Sequence, residues 1–202
     1  MKLVASPTSP FARKIHILLL EKALPFELHA SIPWNADTDV SQFNPLGKVP
    51  ALVADDGMIW TDSPVIAEYL ETLSAAPRLI PQDPREAVRV RQTEALADGV
   101  CEAAIAIFLE KKRDPAQQSG DWIARQQGKL EAGLQALAQQ LGDRSWYHGD
   151  QMSLADIAVA CFLTWFSFRF AAHDWAQRYP HLAALTARLE SRDSFRRTVP
   201  HG

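Results

Sequence analysis

The sequence predicts an α/β domain built on a mixed four-stranded sheet, followed by an all-α helical bundle. Three observations predict it. Strand signals are confined to the first 60 or so residues. The stretch Ala76-Pro77-Arg78-Leu79-Ile80-Pro81-Gln82-Asp83-Pro84 carries three prolines in nine residues, and proline removes donors and breaks helices. Beyond it, apolar residues recur at helical spacing only. The expected division is therefore a first domain over residues 1–76, a linker over 77–84 and an all-α domain over 85–202.

The elements follow in order. Lys2 to Ala5 is a short buried strand. Ser6-Pro7-Thr8-Ser9-Pro10 is a turn that ends on a Ser-Pro helix start, and the spacing of Phe11, Ile15, Leu18 and Leu19 predicts a helix from about Pro10 to Ala23. Leu24-Pro25 stops it, and Phe26 to Ala30 reads as a second strand. A crossover of this kind makes the two strands parallel. Residues 31 to 44 are polar, with one short helix near Val40 to Phe43, and Asn44-Pro45-Leu46-Gly47 is a turn. Asp56-Gly57 between Ala51–Ala54 and Met58–Trp60 is a hairpin signal, which makes the last strand pair antiparallel. A helix from about Pro64 to Ser74 closes this half. Helical patterns then run over 85–112, 116–141, 153–170 and 180–192.

Composition excludes some classes. The chain has 202 residues, 47% hydrophobic and 22% charged, with a formal net charge of −3, so nothing points to a nucleic-acid partner or an anionic membrane surface. No apolar run is long enough to span a bilayer, and Met1-Lys2-Leu3-Val4 leads straight into a strand, so no signal peptide is expected and the cytoplasm is the default. Cys101 and Cys161 lie far apart in apolar patterns and read as buried thiols; no metal-ligand spacing is visible.

Chemistry concentrates at two helix starts. Asp62-Ser63-Pro64 opens a helix, with Ser63 as the expected N-cap and Pro64 at the first helical position. Unpaired N–H groups and partial positive charge at such a start favour a carboxylate, so a small anionic, peptide-like ligand is expected there. Ser9 stands at the other start. It is either a plain N-cap or a hydroxyl that donates to an incoming thiolate, and no partner for a serine-nucleophile triad is recognisable nearby. Between the two lies Val49-Pro50; a cis bond there would free the preceding backbone N–H and C=O for a ligand's own peptide group.

Taken together, Thr8-Ser9-Pro10-Phe11, Asn44 to Pro50 and Asp62-Ser63, in this order and spacing, resemble a glutathione transferase. The resemblance covers nearly the whole chain. It implies a thioredoxin-like first domain, an α-helical second domain with the capping box Ser153-Leu154-Ala155-Asp156, and a homodimer. It also implies roles by position. Ser9 would hydrogen-bond the glutathione sulfur, and Val49, before a cis Pro50, would pair with the cysteinyl backbone. Ser63, with Asp62, would hold the γ-glutamyl end, and Lys48 would face the glycyl carboxylate. Phe11 would border the thiol. Trp34, Phe108 and Arg169 are candidates for the walls of a second-substrate pocket, and Asp98 for a contact to the neighbouring subunit's glutathione. The implied activity is a detoxification-type transfer of glutathione to a small electrophile or a peroxide, with glutathione as co-substrate and no metal. Ser9-Pro10-Phe11-Ala12 lacks both cysteines of a dithiol motif, which excludes dithiol exchange. The alternative is a non-catalytic glutathione-binding or regulatory protein on the same scaffold.

Overall fold

Leu3, Val4 and Ala5 are buried, so the first strand, β1 (Lys2–Ala5), runs inside its sheet. The computed structural model describes residues 1–74 and 76–201. Residue 75, inside the expected first domain, and residue 202, at the end of the second, lie outside the described residues. β2 (Glu27–Ala30), largely exposed, pairs parallel with β1 from Lys2↔Glu27 to Ala5↔Ala30. β3 (Ala51–Val53) pairs antiparallel on the other side, with Val4 opposite Ala51, and β4 (Ile59–Trp60) pairs antiparallel with β3. The order is β2-β1-β3-β4, the expected mixed sheet of four strands. The two strands of the hairpin are shorter than the expected 51–54 and 58–60, because Ala54 and Met58 close the Asp56-Gly57 turn through a backbone bond of 2.8 Å.

Two helices cover the sheet. α1 (Pro10–Glu21) buries Ile15, Leu18 and Leu19, and α2 (Ser63–Leu73) buries Ile66 and Leu70; they pack on each other and on β1 and β3. α1 ends two residues before the expected Ala23, which takes a positive φ of 51° and so leaves the helix. The helix near residue 40 is a single 3₁₀ turn over Val40–Gln42.

The helical part holds α3 (Pro84–Lys111), α4 (Gly120–Leu141), α5 (Leu154–Arg169), α6 (Trp175–Arg178), α7 (Pro180–Glu190) and α8 (Asp193–Arg196). α4 starts later than the expected 116, because Pro115–Gln117 forms a separate 3₁₀ turn and Ser119 caps the helix proper, its Oγ accepting from Trp122 N–H. α6 and α8 are single turns too short for a periodic signal. α3 packs against both α4 and α5. The expected capping box of Ser153 and Asp156 is in place: Ser153 N–H and Oγ–H donate to Asp156 Oδ2 at 2.8 and 2.7 Å, and Tyr147 N–H donates to Oδ1 at 2.9 Å. Cys101 and Cys161 are both buried thiols.

By contacts the chain forms two compact units. One comprises residues 1–81 and 190–201, the other residues 82–189. The last dozen residues, which the sequence assigned to the helical domain, thus complete the first unit. The tie is ionic. Arg13 of α1 donates through Nη2 to both oxygens of Glu190 at 3.0 Å and to the Phe195 carbonyl at 3.1 Å, and through Nε to Thr198 Oγ1 at 3.2 Å. Glu21 at the other end of α1 accepts from Arg192 at 2.9 and 2.7 Å and from the Ser194 hydroxyl.

Candidate functional site

The strand register decides which loops meet. β1 runs toward Ala5, β3 starts at Ala51 opposite Val4, and β4 ends on Trp60 opposite Leu52. The turn after β1, the residues before β3 and those after β4 therefore emerge from one end of the sheet. Those segments carry Ser9, Val49-Pro50 and Asp62-Ser63.

Ser9 is the N-cap of α1, with extended backbone (φ −82°, ψ 120°) and Pro10 behind it at the first helical position. Its N–H donates to Ser6 O at 3.1 Å, which sets the turn, and its Oγ accepts from Ala12 N–H at 3.2 Å. The cap uses a lone pair of the hydroxyl and leaves the O–H. Among the described residues nothing accepts from that O–H. Ser9 is half-buried, so the donor faces a partly shielded opening.

Val49 is delivered by an asparagine clamp. Asn44 is buried; its Oδ1 accepts from Leu46 N–H at 3.0 Å, its carbonyl from Gly47 N–H at 2.9 Å, and its Nδ2 donates to Lys48 O at 3.0 Å. Gly47 sits at φ +62°, a conformation a side chain would strain. The following Val49–Pro50 bond is cis. Among the described residues neither the N–H nor the C=O of Val49 takes a hydrogen bond. Asn44 holds this turn, and an Asn three residues before a Gly is the sequence signal for it.

At the second helix start the sequence reading needs a correction. Asp62, not Ser63, is the N-cap of α2: its Oδ1 accepts from Ser63 N–H, and its carbonyl accepts from Ile66 N–H at 2.9 Å. Ser63 is the first helical residue and Pro64 the second. Asp62 keeps extended backbone (φ −84°, ψ −178°) while Ser63 is already helical, so the chain turns into the helix one residue earlier than expected. Ser63 is consequently turned inward, 1% exposed, and its Oγ has no hydrogen-bond partner among the described residues. A buried hydroxyl without a partner costs roughly 1–3 kcal/mol, which marks it as a group awaiting one.

Phe11 is half-buried one residue into α1, and Lys48 is exposed on the clamped turn. Trp34 is 77% exposed on the connection after β2. Phe108 and Arg169 meet inside the helical unit, the guanidinium 5.0 Å from the ring centroid, with Lys112 4.7 Å from the same ring. Asp98 is half-buried on α3. Among the described residues no group of three His, Cys, Asp or Glu side chains is placed to hold a metal ion, and no helix is long and apolar enough to cross a membrane.

The chain is similar to known proteins along nearly its whole length. Residues 8–73 match the family model of the glutathione S-transferase N-terminal domain, and residues 120–188 that of the C-terminal domain. An uncharacterized GST-like protein of Escherichia coli, YibF, is 49% identical over 99% of this chain and 98% of its own length. A glutathione S-transferase from Methylobacterium radiotolerans, solved in complex with glutathione sulfonate, superposes with a TM-score of 0.96 at 43% identity, over 100% of this chain and 95% of that one. A second, from Methylobacillus flagellatus with glutathione bound, gives 0.96 at 40% identity over 99% of both chains.

Proposed function

We propose, from the premise that the chain belongs to the glutathione S-transferase family, that it binds reduced glutathione and transfers its thiolate to a small electrophile. One observation carries the reading: at a single end of the sheet, three segments leave hydrogen-bonding capacity unspent. These are the Ser9 O–H, the Val49 backbone and the buried Ser63 hydroxyl. A γ-glutamyl carboxylate at the start of α2 would satisfy Ser63 and benefit from the helix end. An extended cysteinyl residue would pair with Val49 as an added strand does. The sulfur would then lie toward Ser9, whose free O–H donates to it. Asp62 and Lys48 would face the charged ends of the tripeptide, and Phe11 would border the sulfur.

The magnitudes are sufficient. A model thiol has a pKa near 8.5, and lowering it by about two units takes roughly 2.7 kcal/mol of preferential thiolate stabilisation. A hydrogen bond to a charged group is worth about 1.5–3 kcal/mol, and a helix N-terminus adds about 0.3–1. The thiolate share at pH 7 rises from a few per cent to about three-quarters. In the reaction the thiol proton passes to solvent, the sulfur lone pair forms a C–S bond, and the leaving group departs with its electron pair. The protein contributes orientation and charge stabilisation and forms no covalent intermediate.

The test is titration of the bound tripeptide's thiol by its ultraviolet thiolate absorbance. The expected apparent pKa is about two units below that of free glutathione. A bound thiol that titrates like the free one removes the catalytic reading and leaves a binding protein. No binding at all removes both.

A further inference from the structure

We propose that the first unit carries a second small-molecule site, a cavity of about 190 Å³ that takes a monocarboxylate with an apolar body the size of benzoate. The cavity lies between the turn after β1, one face of α1, the exposed strand β2 and the C-terminal residues 197–201. Neither Ser9, Val49 nor Ser63 lines it, so it is separate from the glutathione reading.

Size and wall select the body of the ligand. A cavity of about 150 Å³ in an engineered apolar core holds benzene, so this one has room for a ring and a small substituent. Leu28, Ala30 and Val199 give it an apolar side, and Leu28 is a large apolar side chain left 49% exposed.

Charge selects the head group. The chain as a whole has more acidic than basic residues, 24 against 21. Yet the ionisable side chains along this wall are Arg13, His16, Arg197 and His201, and among the described residues lining it there is no aspartate or glutamate. These four are not equivalent. Arg13 is paired through Nη2 and Nε with Glu190, the Phe195 carbonyl and Thr198, so its charge is largely neutralised by Glu190, while its buried Nη1 has no hydrogen-bond partner among the described residues. Among the described residues the carboxylate paired with Arg197 is Asp193, 3.6 Å away and 71% exposed, a geometry worth little in water. Arg197 therefore keeps its fork available for a carboxylate. His16, edge-on to Phe26 at 5.2 Å, is held below its ordinary pKa by burial and by the charge of Arg197. As a neutral ring it offers one N–H to an anion lying beside Arg197. His201 Nδ1 stands 3.0 Å from the Val199 carbonyl at the mouth.

The experiment is an amide NMR titration of the full chain with sodium benzoate and, separately, with benzyl alcohol, which keeps the ring and drops the charge. The expected result is shifts centred on Ala12, His16, Leu28 and Val199, with benzoate binding about ten-fold tighter or more, a preference of the size a charged pair supplies. Arg197→Gln should bring the two ligands to equal affinity. Ala30→Leu should fill the cavity and abolish both. Both positions are exposed and the variants should fold. No binding, equal binding by the wild type, shifts centred elsewhere, or a preference that survives Arg197→Gln would each overturn the proposal. A parallel glutathione titration, followed at Ser9 and Ser63, answers for the other site, so either reading can fail alone.

Discussion

Two serines stand at two helix starts, and their different hydrogen-bond accounts separate what each does. Ser9 spends a lone pair on the cap and keeps its O–H. Ser9→Ala should lower the second-order rate constant for glutathione transfer about 10- to 100-fold, the worth of one bond to a charged sulfur. Glutathione affinity should move only a few-fold, and the bound thiol pKa should rise toward that of the free thiol. Steady-state kinetics and thiol titration read the split. Ser63 spends nothing inside the protein. Ser63→Ala should leave thermal stability unchanged or slightly raised, while weakening glutathione binding about ten-fold by calorimetry. A loss of stability without a loss of affinity would mean that the hydroxyl has an internal role. At this scale the sequence was informative about residue type and vague about position. It placed Ser63 at the right helix start but one residue out of its role, because Ser and Asp are nearly equal as caps and the sequence does not show which one the backbone selects. The unspent hydroxyl was invisible for the same reason: satisfaction of a polar group depends on every neighbour in the fold.

Helices that approach closely leave less tolerance than periodicity suggests. A Cβ on Gly133 of α4 would come 2.1 Å from Val100 Cγ2 of α3. Gly133→Ala should therefore destabilise by about 1–3 kcal/mol despite the better helix propensity of alanine, and Val100→Ala in the same chain should recover part of that loss, as measured by denaturant unfolding. At the far end of α1, burial alone would raise the Glu21 carboxyl, but hydrogen bonds from Arg192 and Ser194 outweigh it and hold the group below the usual 4.5. A carboxyl depressed in the fold stabilises fully above its unfolded value and loses that contribution as pH falls through the folded one. Glu21→Gln should thus cost about 1 kcal/mol at pH 7, and the gap to wild type should close below pH 4.5 in urea titrations. Long periodic elements were legible in advance: α1, α3, α4 and α5 fall near their expected spans. The single turns α6 and α8 were not, since four residues carry no period to detect.

Across the whole molecule, the unexpected feature is the return of residues 190–201 to the first unit. Nothing local in the sequence announces it, because Arg13 and Glu190 are 177 positions apart and each reads as an ordinary surface charge. In the fold the Arg13 side chain is only 3% exposed. Glu190→Ala should leave that cation buried without its carboxylate and cost about 3 kcal/mol. For a chain of this length that is a fall of about 6–12 °C in Tm, readable by calorimetry. An unchanged Tm would show that Phe195 and Thr198 suffice to hold Arg13.

The same return path sets an order of events during synthesis. Strands and helices of the first unit leave the ribosome early, yet the ion pairs that fasten α1 cannot form until residues 190 and 192 have been translated. A nascent chain halted near residue 120 would hold a sheet with the Arg13 guanidinium still seeking its carboxylate. The amino-terminal part of this protein is begun first and finished last.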